Sequence, residues 1–402
     1  MPSSKVVLCS AARTAIGTYN GALKDVSAPD LGAVAIGASI ERAKIKGTDI
    51  GTVIMGQVVQ AGAKMNPARQ AAIKAGIPVE VPAMAVNRVC GSGAQAIATA
   101  AQEVMLGFVD SAIAGGMENM DQSPYLMSGG RWGYRMGDAQ IYDSMLRDGL
   151  NDAFCDKHSG WVTEDLVSKF QLTREAQDRW ACRSQTSFSK AQAAGKFQAE
   201  IAPVEIPSRK GPSVFARDEH NRPDTTLESL AKLKPAFRKD GTVTAGNAPG
   251  LNSGAAAMIV ADAGWAEKHG LAAMARLVAY GVGAVEPGMF GLGCESACKK
   301  DPLLGVIGIQ SGPPNRWVHI GFHDSWEPDW DVDRGDNCED SSGVFRTGEG
   351  NKSDLSGSWC ISEGREEGDP LGLDGVSLPP RRSTSPQDWP MARRARSVAV
   401  GQ

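Results

Sequence analysis

The stretch from Ala85 to Ile97 reads Ala-Val-Asn-Arg-Val-Cys-Gly-Ser-Gly-Ala-Gln-Ala-Ile, and it constrains the fold more than any other part of the chain. Upstream, Val81 to Asn87 is short, apolar and β-compatible. Downstream, Ala94 to Phe108 is rich in Ala, Gln, Glu and Met, which favour helix. Between them Cys90 is followed by Gly91-Ser92-Gly93, small residues that permit a sharp strand-to-helix turn. Such a turn places Cys90 at a helix N-terminus, where unpaired backbone N–H groups favour negative charge. The thiolate is the nucleophilic form of cysteine, and this position lowers the thiol pKa. Cys90 is therefore a candidate for covalent catalysis. Local sequence leaves the alternative open that it is a small, buried packing residue.

The flanking chain alternates strand and helix. Lys5 to Ser10 reads as a buried strand, followed by a loop from Ala11 to Gly17. Leu31 to Ile45 reads as a helix capped by Ser27, with Pro29 in its opening turn. Val53 to Gly56 is a further strand, Asn66-Pro67 opens a helix that Gly76 stops, and Ser111 to Gly116 is a strand ending in glycines. This order predicts an α/β class with a layered sheet. A chain of 402 residues with 42% apolar and 22% charged residues has enough material for two or three globular domains. A net charge of −4 gives no electrostatic case for nucleic acid as a partner. The opening run Met1 to Cys9 is too short for a signal peptide, and no stretch is long enough to span a bilayer. With no secretion signal, the 8 irregularly spaced cysteines read as reduced thiols, so a cytoplasmic protein with no membrane partner is expected.

The character changes after Asn119-Met120. Residues 121–241 are more polar, with one long helical region from Thr163 to Lys196 and a loop-rich part around Pro203 to Pro223. They read as an insertion packed on the domain formed by 1–120. Thr242 to Ala257 is rich in glycine and small residues, yet lacks the Gly-Lys-Ser/Thr of a phosphate loop. It fits close backbone approach to a ligand or to the Cys90 helix, or a plain loop before the strand Ala255 to Ala261.

Four segments in this order resemble the thiolase family: Ala12-Arg13-Thr14-Ala15-Ile16-Gly17, Val86 to Gly93, Ala114 to Met120 and Thr244 to Gly254. The resemblance runs from Met1 to Gly293 and is nearest in kind to bacterial acetyl-CoA acetyltransferases. It implies a layered αβαβα core of two similar halves, with a loop domain inserted in the first half that cradles coenzyme A. It implies that Cys90 takes the acyl group as a thioester. It further implies that Leu150, His158, Arg222, Ser229, Phe237, Ala245, Ala248, Leu251 and Phe290 line the CoA and acyl pocket. Acyl-CoA would be the substrate, with no separate cofactor and no metal, and the protein would be a homo-oligomer. Arg222 suits a phosphate or an adenine face, and Phe237 and Leu251 suit the pantetheine arm. By residue type alone, His158 reads as a solvated loop residue, Arg222 as a surface charge and Phe237 as core. Pro249 stands where the family often has serine, which removes one hydroxyl contact.

The resemblance breaks at Gly293. The family carries Asn-Glu-Ala-Phe, Gly-His-Pro and Cys-x-Gly motifs in its second half, supplying a histidine that helps activate the nucleophile and a cysteine that removes the α-proton. Residues 294–402 contain none of the three. Trp317, Trp326, Trp330, Trp359 and Trp389 are scattered through polar sequence, and Gly335 to Pro370 lacks apolar periodicity. The expected organisation is thus 1–120, 121–241 as the CoA-binding insertion, 242–293 as the return to the first domain, and an aberrant, irregular tail at 294–402. A reading-frame change or a rearranged gene would produce such a break. Cys294-x3-Cys298 and His319-x3-His323 resemble half-sites for zinc, but the gap between them is long and holds Pro313-Pro314, so no metal is expected. Two functions remain: a thiolase-type acetyl-CoA C-acetyltransferase, or a damaged thiolase-like protein that binds CoA at most.

Overall fold

The structure, a computed structural model, describes residues 5–209 and 211–292, together with the backbone of three strands further on. The sheet strands are β1 (Val6–Thr14), β2 (Gly17–Thr18), β3 (Thr52–Gly56), β4 (Ala83–Val86), β5 (Ser111–Asn119), β6 (Ile201–Ala202), β7 (Asn252–Asp262), β8 (Ala273–Ala279), β9 (Ile307–Gln310), β10 (Arg316–Gly321) and β11 (Cys360–Arg365). The helices are α1 (Ala28–Ala43), α2 (Pro67–Lys74), α3 (Ser92–Met105), α4 (Ser159–Lys169), α5 (Arg174–Ala193), α6 (Leu227–Ala231) and α7 (Ala263–Lys268).

One 11-stranded sheet organises these elements, in the order β11-β10-β9-β8-β1-β7-β5-β3-β4, with β6 beside β1 and β2 beside β7. β3 runs parallel to both β4 and β5, whereas β7 runs antiparallel to β1 and β5. Strands β3 and β5 are buried along their whole length, the pattern of a sheet covered on both faces. Alternating side chains divide between those faces. Val7, Cys9, Val53, Met55, Ile113, Met117 and Ile259 pack under α1 and α2. Val6, Leu8, Ile54, Ala112, Ala114, Met258 and Val260 pack under α3 through Ala96, Ile97, Ala100, Ala101 and Val104. The predicted α/β class is therefore what the chain adopts, with helix layers on both sides of a mixed sheet.

Local signals account for most of the helix ends. The Ser27 side chain accepts from the Asp30 amide and Pro29 sits in the first turn of α1. The Asn66 side chain accepts from the Arg69 amide ahead of Pro67 in α2. Other expectations need correcting. Ala11 to Thr14, expected to be loop, continues β1 after a register irregularity between Cys9 and Ala12. The long helical region expected from Thr163 to Lys196 consists of two helices, α4 and α5, separated by left-handed Gln171 (φ 52°), with the Thr173 side chain capping α5 through the Ala176 amide. Strands β9, β10 and β11 extend the sheet antiparallel from β8, and most of the tail expected to be irregular lies outside the described residues. The Cys294, Cys298 and His323 of the metal pattern and most of the tail tryptophans lie outside the described residues. Among the described residues, no helix is long and apolar enough to cross a membrane, and no group of three or more His, Cys, Asp or Glu is placed to hold a metal.

Residues 121–241 contain α4, α5, α6 and short hairpins. Buried polar contacts tie them to the sheet. Arg13 at the end of β1 pairs with Asp218 and Glu200. Glu164 of α4, 3% exposed, accepts from the amides of Thr242 and Val243.

Candidate active site

The turn after β4 is built from its own polar groups. Asn87 Oδ1 accepts from the Val89 amide at 2.9 Å, and Asn87 Nδ2 donates to the Val58 carbonyl at 3.3 Å. The Ser92 hydroxyl accepts from the Arg88 amide at 2.9 Å and donates to the Val89 carbonyl at 2.6 Å. The Gly91 amide donates to the Arg88 carbonyl. This lattice holds Val89 at φ 47°, a left-handed conformation that costs a β-branched residue on the order of 1–3 kcal/mol. The strain turns the chain abruptly and leaves Cys90 exposed. Helix α3 begins at Ser92, so Cys90 precedes it with Gly91 between, and Gly91 has no side chain to cap the first amides. The helix terminus that favours a thiolate is therefore adjacent to the sulfur-bearing residue. Gly56 of β3 lies against this start: a Cβ there would stand 2.7 Å from the Ser92 carbonyl carbon and 2.8 Å from the Gly93 nitrogen.

A small apolar cluster continues from the turn. Val58, Val59, Met120 and Met145 are buried together, with Leu150 and Leu251 packed against them. The Val58 carbonyl accepts from Asn87 Nδ2, so one hydrogen bond ties the cluster to the Cys90 turn. Glu118, fully buried in β5, accepts from the amides of Val58 at 2.7 Å and Val59 at 3.3 Å and fixes that backbone from below. In sequence, Glu118 is one residue of the family-like segment Ala114 to Met120. Its signal was an acid inside the apolar run Ala114 to Met120.

Residues 121–241 supply another constellation. The rings of His158 and Phe237 stack at 4.7 Å between centroids with an interplanar angle of 23°. His158 caps α4, its Nδ1 accepting from the Gly160 amide at 2.9 Å, and burial pushes its imidazole below the usual range. Phe237 also lines a cleft of about 650 Å³ with Trp161, Arg238, Lys239 and Asp240. Arg238 lies 4.9 Å from the Trp161 ring centroid and pairs with Asp165 at 2.8 Å. Trp161 and Arg238 were not legible as candidates in sequence, since an aromatic and a cation in a polar stretch carry no spacing signal.

The arm carrying Ala245, Ala248 and Leu251 is held from below. Besides Glu164, Asp178 of α5 accepts from Asn247 Nδ2 at 2.9 Å, while Asn247 Oδ1 accepts from the Thr244 amide at 2.7 Å. The Ala248 amide donates to the Thr244 carbonyl. Leu251 thus joins Leu150 beside the Cys90 turn, whereas Ala245 is exposed. Arg222 and Ser229 are exposed as well. The Arg222 amide donates to Gln185 Oε1, and the Ser229 hydroxyl takes part in a reciprocal cap with Thr226 at the start of α6. Phe290 is 49% exposed in a short 3₁₀ turn, near which the Gly288 amide donates to Asp152. Of the candidates, Leu150 and Leu251 join the apolar cluster that Asn87 of the Cys90 turn reaches through the Val58 carbonyl, and His158 stacks on Phe237. Arg222, Ser229, Ala245 and Phe290 lie outside the apolar cluster.

Known proteins share this sequence pattern and fold. The Thiolase, N-terminal domain family matches residues 6–264. The chain is 50% identical over 296 residues to the acetyl-CoA acetyltransferase of Cupriavidus necator, covering 73% of this chain and 75% of that protein. It is 47% identical over 305 residues to the acetyl-CoA acetyltransferase of Escherichia coli, covering 76% and 77%. The crystal structure of the Bacillus anthracis acetyl-CoA acetyltransferase superposes with a TM-score of 0.72 at 40% identity, covering 74% of this chain and 75% of that one. The strand–cysteine–helix turn, the sheet that presents it and these likenesses together establish that the chain belongs to the thiolase family.

Proposed function

We propose that the chain is a thiolase-type acyltransferase of the acetyl-CoA C-acetyltransferase class, in which Cys90 accepts the acetyl group of acetyl-CoA. The observation that carries this reading is Cys90 itself, exposed on a strained turn just ahead of α3 that Asn87 ties to the cluster holding Leu150 and Leu251. The Cys90 thiolate attacks the thioester carbonyl carbon, the bond from that carbon to the CoA sulfur breaks, and the CoA thiolate leaves and takes up a proton. Leu251 and Phe237 offer apolar surface to the pantetheine arm, and Arg222 a cation to the nucleotide end. The protein works as a homo-oligomer in the cytoplasm.

Condensation of a second acetyl-CoA needs a base for its α-proton and donors for the enolate oxygen. The motifs that supply them in the family do not occur in residues 294–402. Loss of one oxyanion donor costs on the order of 10²–10³ in rate, and loss of a positioned base about 10²–10⁴. The half-reaction at Cys90 is therefore expected to be slow, and thiolysis of acetoacetyl-CoA negligible. The missing motifs also favour a second reading, a protein that binds CoA without chemistry. Incubation with acetyl-CoA followed by peptide mass mapping separates the two: acetyl on Cys90, absent from Cys90→Ala, supports acyl transfer. Tight CoA binding with no acetylation supports the second. Cys90-dependent thiolysis at an ordinary enzyme rate, on the order of 1–10³ per second, would show that tail residues replace the missing groups.

A further inference from the structure

Asp218 to Arg222 forms a run in which every residue is anchored, and only Arg222 at its end has so far been given a functional role. Asp218 accepts from the Ile16 amide at 2.7 Å and pairs with Arg13. The Glu219 amide donates to the Ile16 carbonyl at 2.9 Å, and the Glu219 carboxylate accepts from the Thr18 amide at 3.0 Å. Asn221 accepts from the Ser189 hydroxyl and donates to Gln185, whose Oε1 also receives the Arg222 amide. Between these, half-buried His220 places Nδ1 3.3 Å from Thr18 Oγ1.

The His220 ring lies directly on Gly250. The atoms nearest a Cβ built on Gly250 are all in that ring, Cε1, Nε2 and Nδ1, close enough that something must shift. Gly250 is not left-handed, so its lack of a side chain answers to the ring and not to the backbone. Gly250 directly precedes Leu251, whose carbonyl accepts from the Tyr19 amide at 3.0 Å. Asn252 donates to the Gly250 carbonyl at 3.2 Å and pairs with Thr18 in the sheet.

We propose that His220 is a positioning residue for acyl-CoA, its ring clamping Gly250 so that the arm bearing Ala245, Ala248 and Leu251 is locked to the segment bearing Arg222. This rests on the acyl-transfer reading above. An arm already fixed before substrate arrives has less freedom to lose on binding. His220 touches neither thiol nor acyl group, so its effect falls on affinity and not on the acylation step.

The test compares wild type, His220→Ala, Gly250→Ala and the double variant by hydrogen exchange without ligand, by calorimetric titration with CoA, and by the rate of Cys90 acetylation at saturating acetyl-CoA. In His220→Ala, exchange across 245–251 is expected to quicken about tenfold and CoA affinity to fall about tenfold, the equivalent of about 1.4 kcal/mol. The saturated acetylation rate stays within about twofold, since only interactions specific to the transition state change it. Gly250→Ala shows the same losses by displacing the ring, yet adds nothing when His220 is already alanine, because the obstacle is gone. Unchanged exchange in 245–251, additive losses in the double variant, or exchange that quickens equally throughout β5 would each overturn the proposal. A loosened arm with CoA affinity intact would also overturn it. Failure of wild type to bind CoA at all refutes the acyl-transfer reading and the substrate role of His220 with it, while the exchange data still decide whether the ring clamps the arm.

Discussion

Arg13 and Asp218 stand 205 positions apart and meet in a bidentate pair, Nη1 to Oδ1 at 2.7 Å and Nη2 to Oδ2 at 2.9 Å. Both side chains are almost entirely buried, and Arg13 Nε also donates to Glu200 at 2.6 Å. The pair joins the end of β1 to the segment that delivers His220 and Arg222. Removing one member leaves a charge out of water with less to balance it. Asp218→Ala is therefore expected to destabilise the fold by about 3–5 kcal/mol, read from the urea midpoint. A loss below about 1 kcal/mol, typical of exposed pairs, would mean the pair is solvated in solution.

Cysteine reactivity should sort by position. Cys9 is buried in β1, and desolvation pushes its thiol up to about 11. Cys90 is exposed just ahead of α3. Iodoacetamide labelling followed by peptide mapping is expected to modify Cys90 first and Cys9 last. Labelling of exposed Cys155 as fast as Cys90 would argue that the helix terminus does not activate the thiol.

Gly56→Ala tests the turn from beneath. The added methyl meets the backbone of Ser92 and Gly93, which cannot swing aside as a side-chain tip can. The variant should lose about 1–3 kcal/mol, the cost of overpacking, and its Cys90 should label more slowly. Normal stability combined with normal labelling would show that α3 shifts without consequence.

Acidification should weaken the protein through two histidines. Burial holds both His158 and His220 below the usual imidazole range, His220 with added repulsion from Arg222. The unfolded chain binds protons at about pH 6.5, before the folded one does. Stability is therefore complete above that pH and falls as pH drops through the interval down to the lower folded values. Unfolding midpoints measured from pH 8 to 5 should decline most steeply below about pH 6.5, and His158→Gln should flatten part of the slope. A decline unchanged in both His158→Gln and His220→Gln would assign it to carboxylates instead.

Elements set by nearby residues were legible in sequence. Ser27 with Pro29 and Asn66 with Pro67 announce α1 and α2 because a cap acts within a turn. The Cys90 turn was legible because Gly91-Ser92-Gly93 separates an apolar run from a helical one. What escaped depends on partners far along the chain. Ala11 to Thr14 looks too polar for a buried strand until Glu200 and Asp218 arrive to satisfy Arg13. Glu118, Glu164 and Asp178 are ordinary acids in sequence. They become anchors only because the amides of Val58 and Thr242 and the side chain of Asn247 come to them. The clasp of His220 on Gly250 joins residues with no local relation at all.

The place of β1 in the sheet has a consequence for the growing chain. β1 is made first, yet its neighbours come late: two-residue β6 at Ile201–Ala202, then β7 and β8 from Asn252 onward. At synthesis rates of roughly 5–20 residues per second, Val6 to Thr14 waits on the order of 10–50 s for Asp262 to be made. Throughout that interval the apolar run Val6 to Cys9 is without the antiparallel strands that cover it. A stall between the codons for Asn119 and Ile201 would leave β3, β4 and β5 able to pair while β1 stays unsheltered, making it the segment on which a ribosome-bound chaperone has the longest claim.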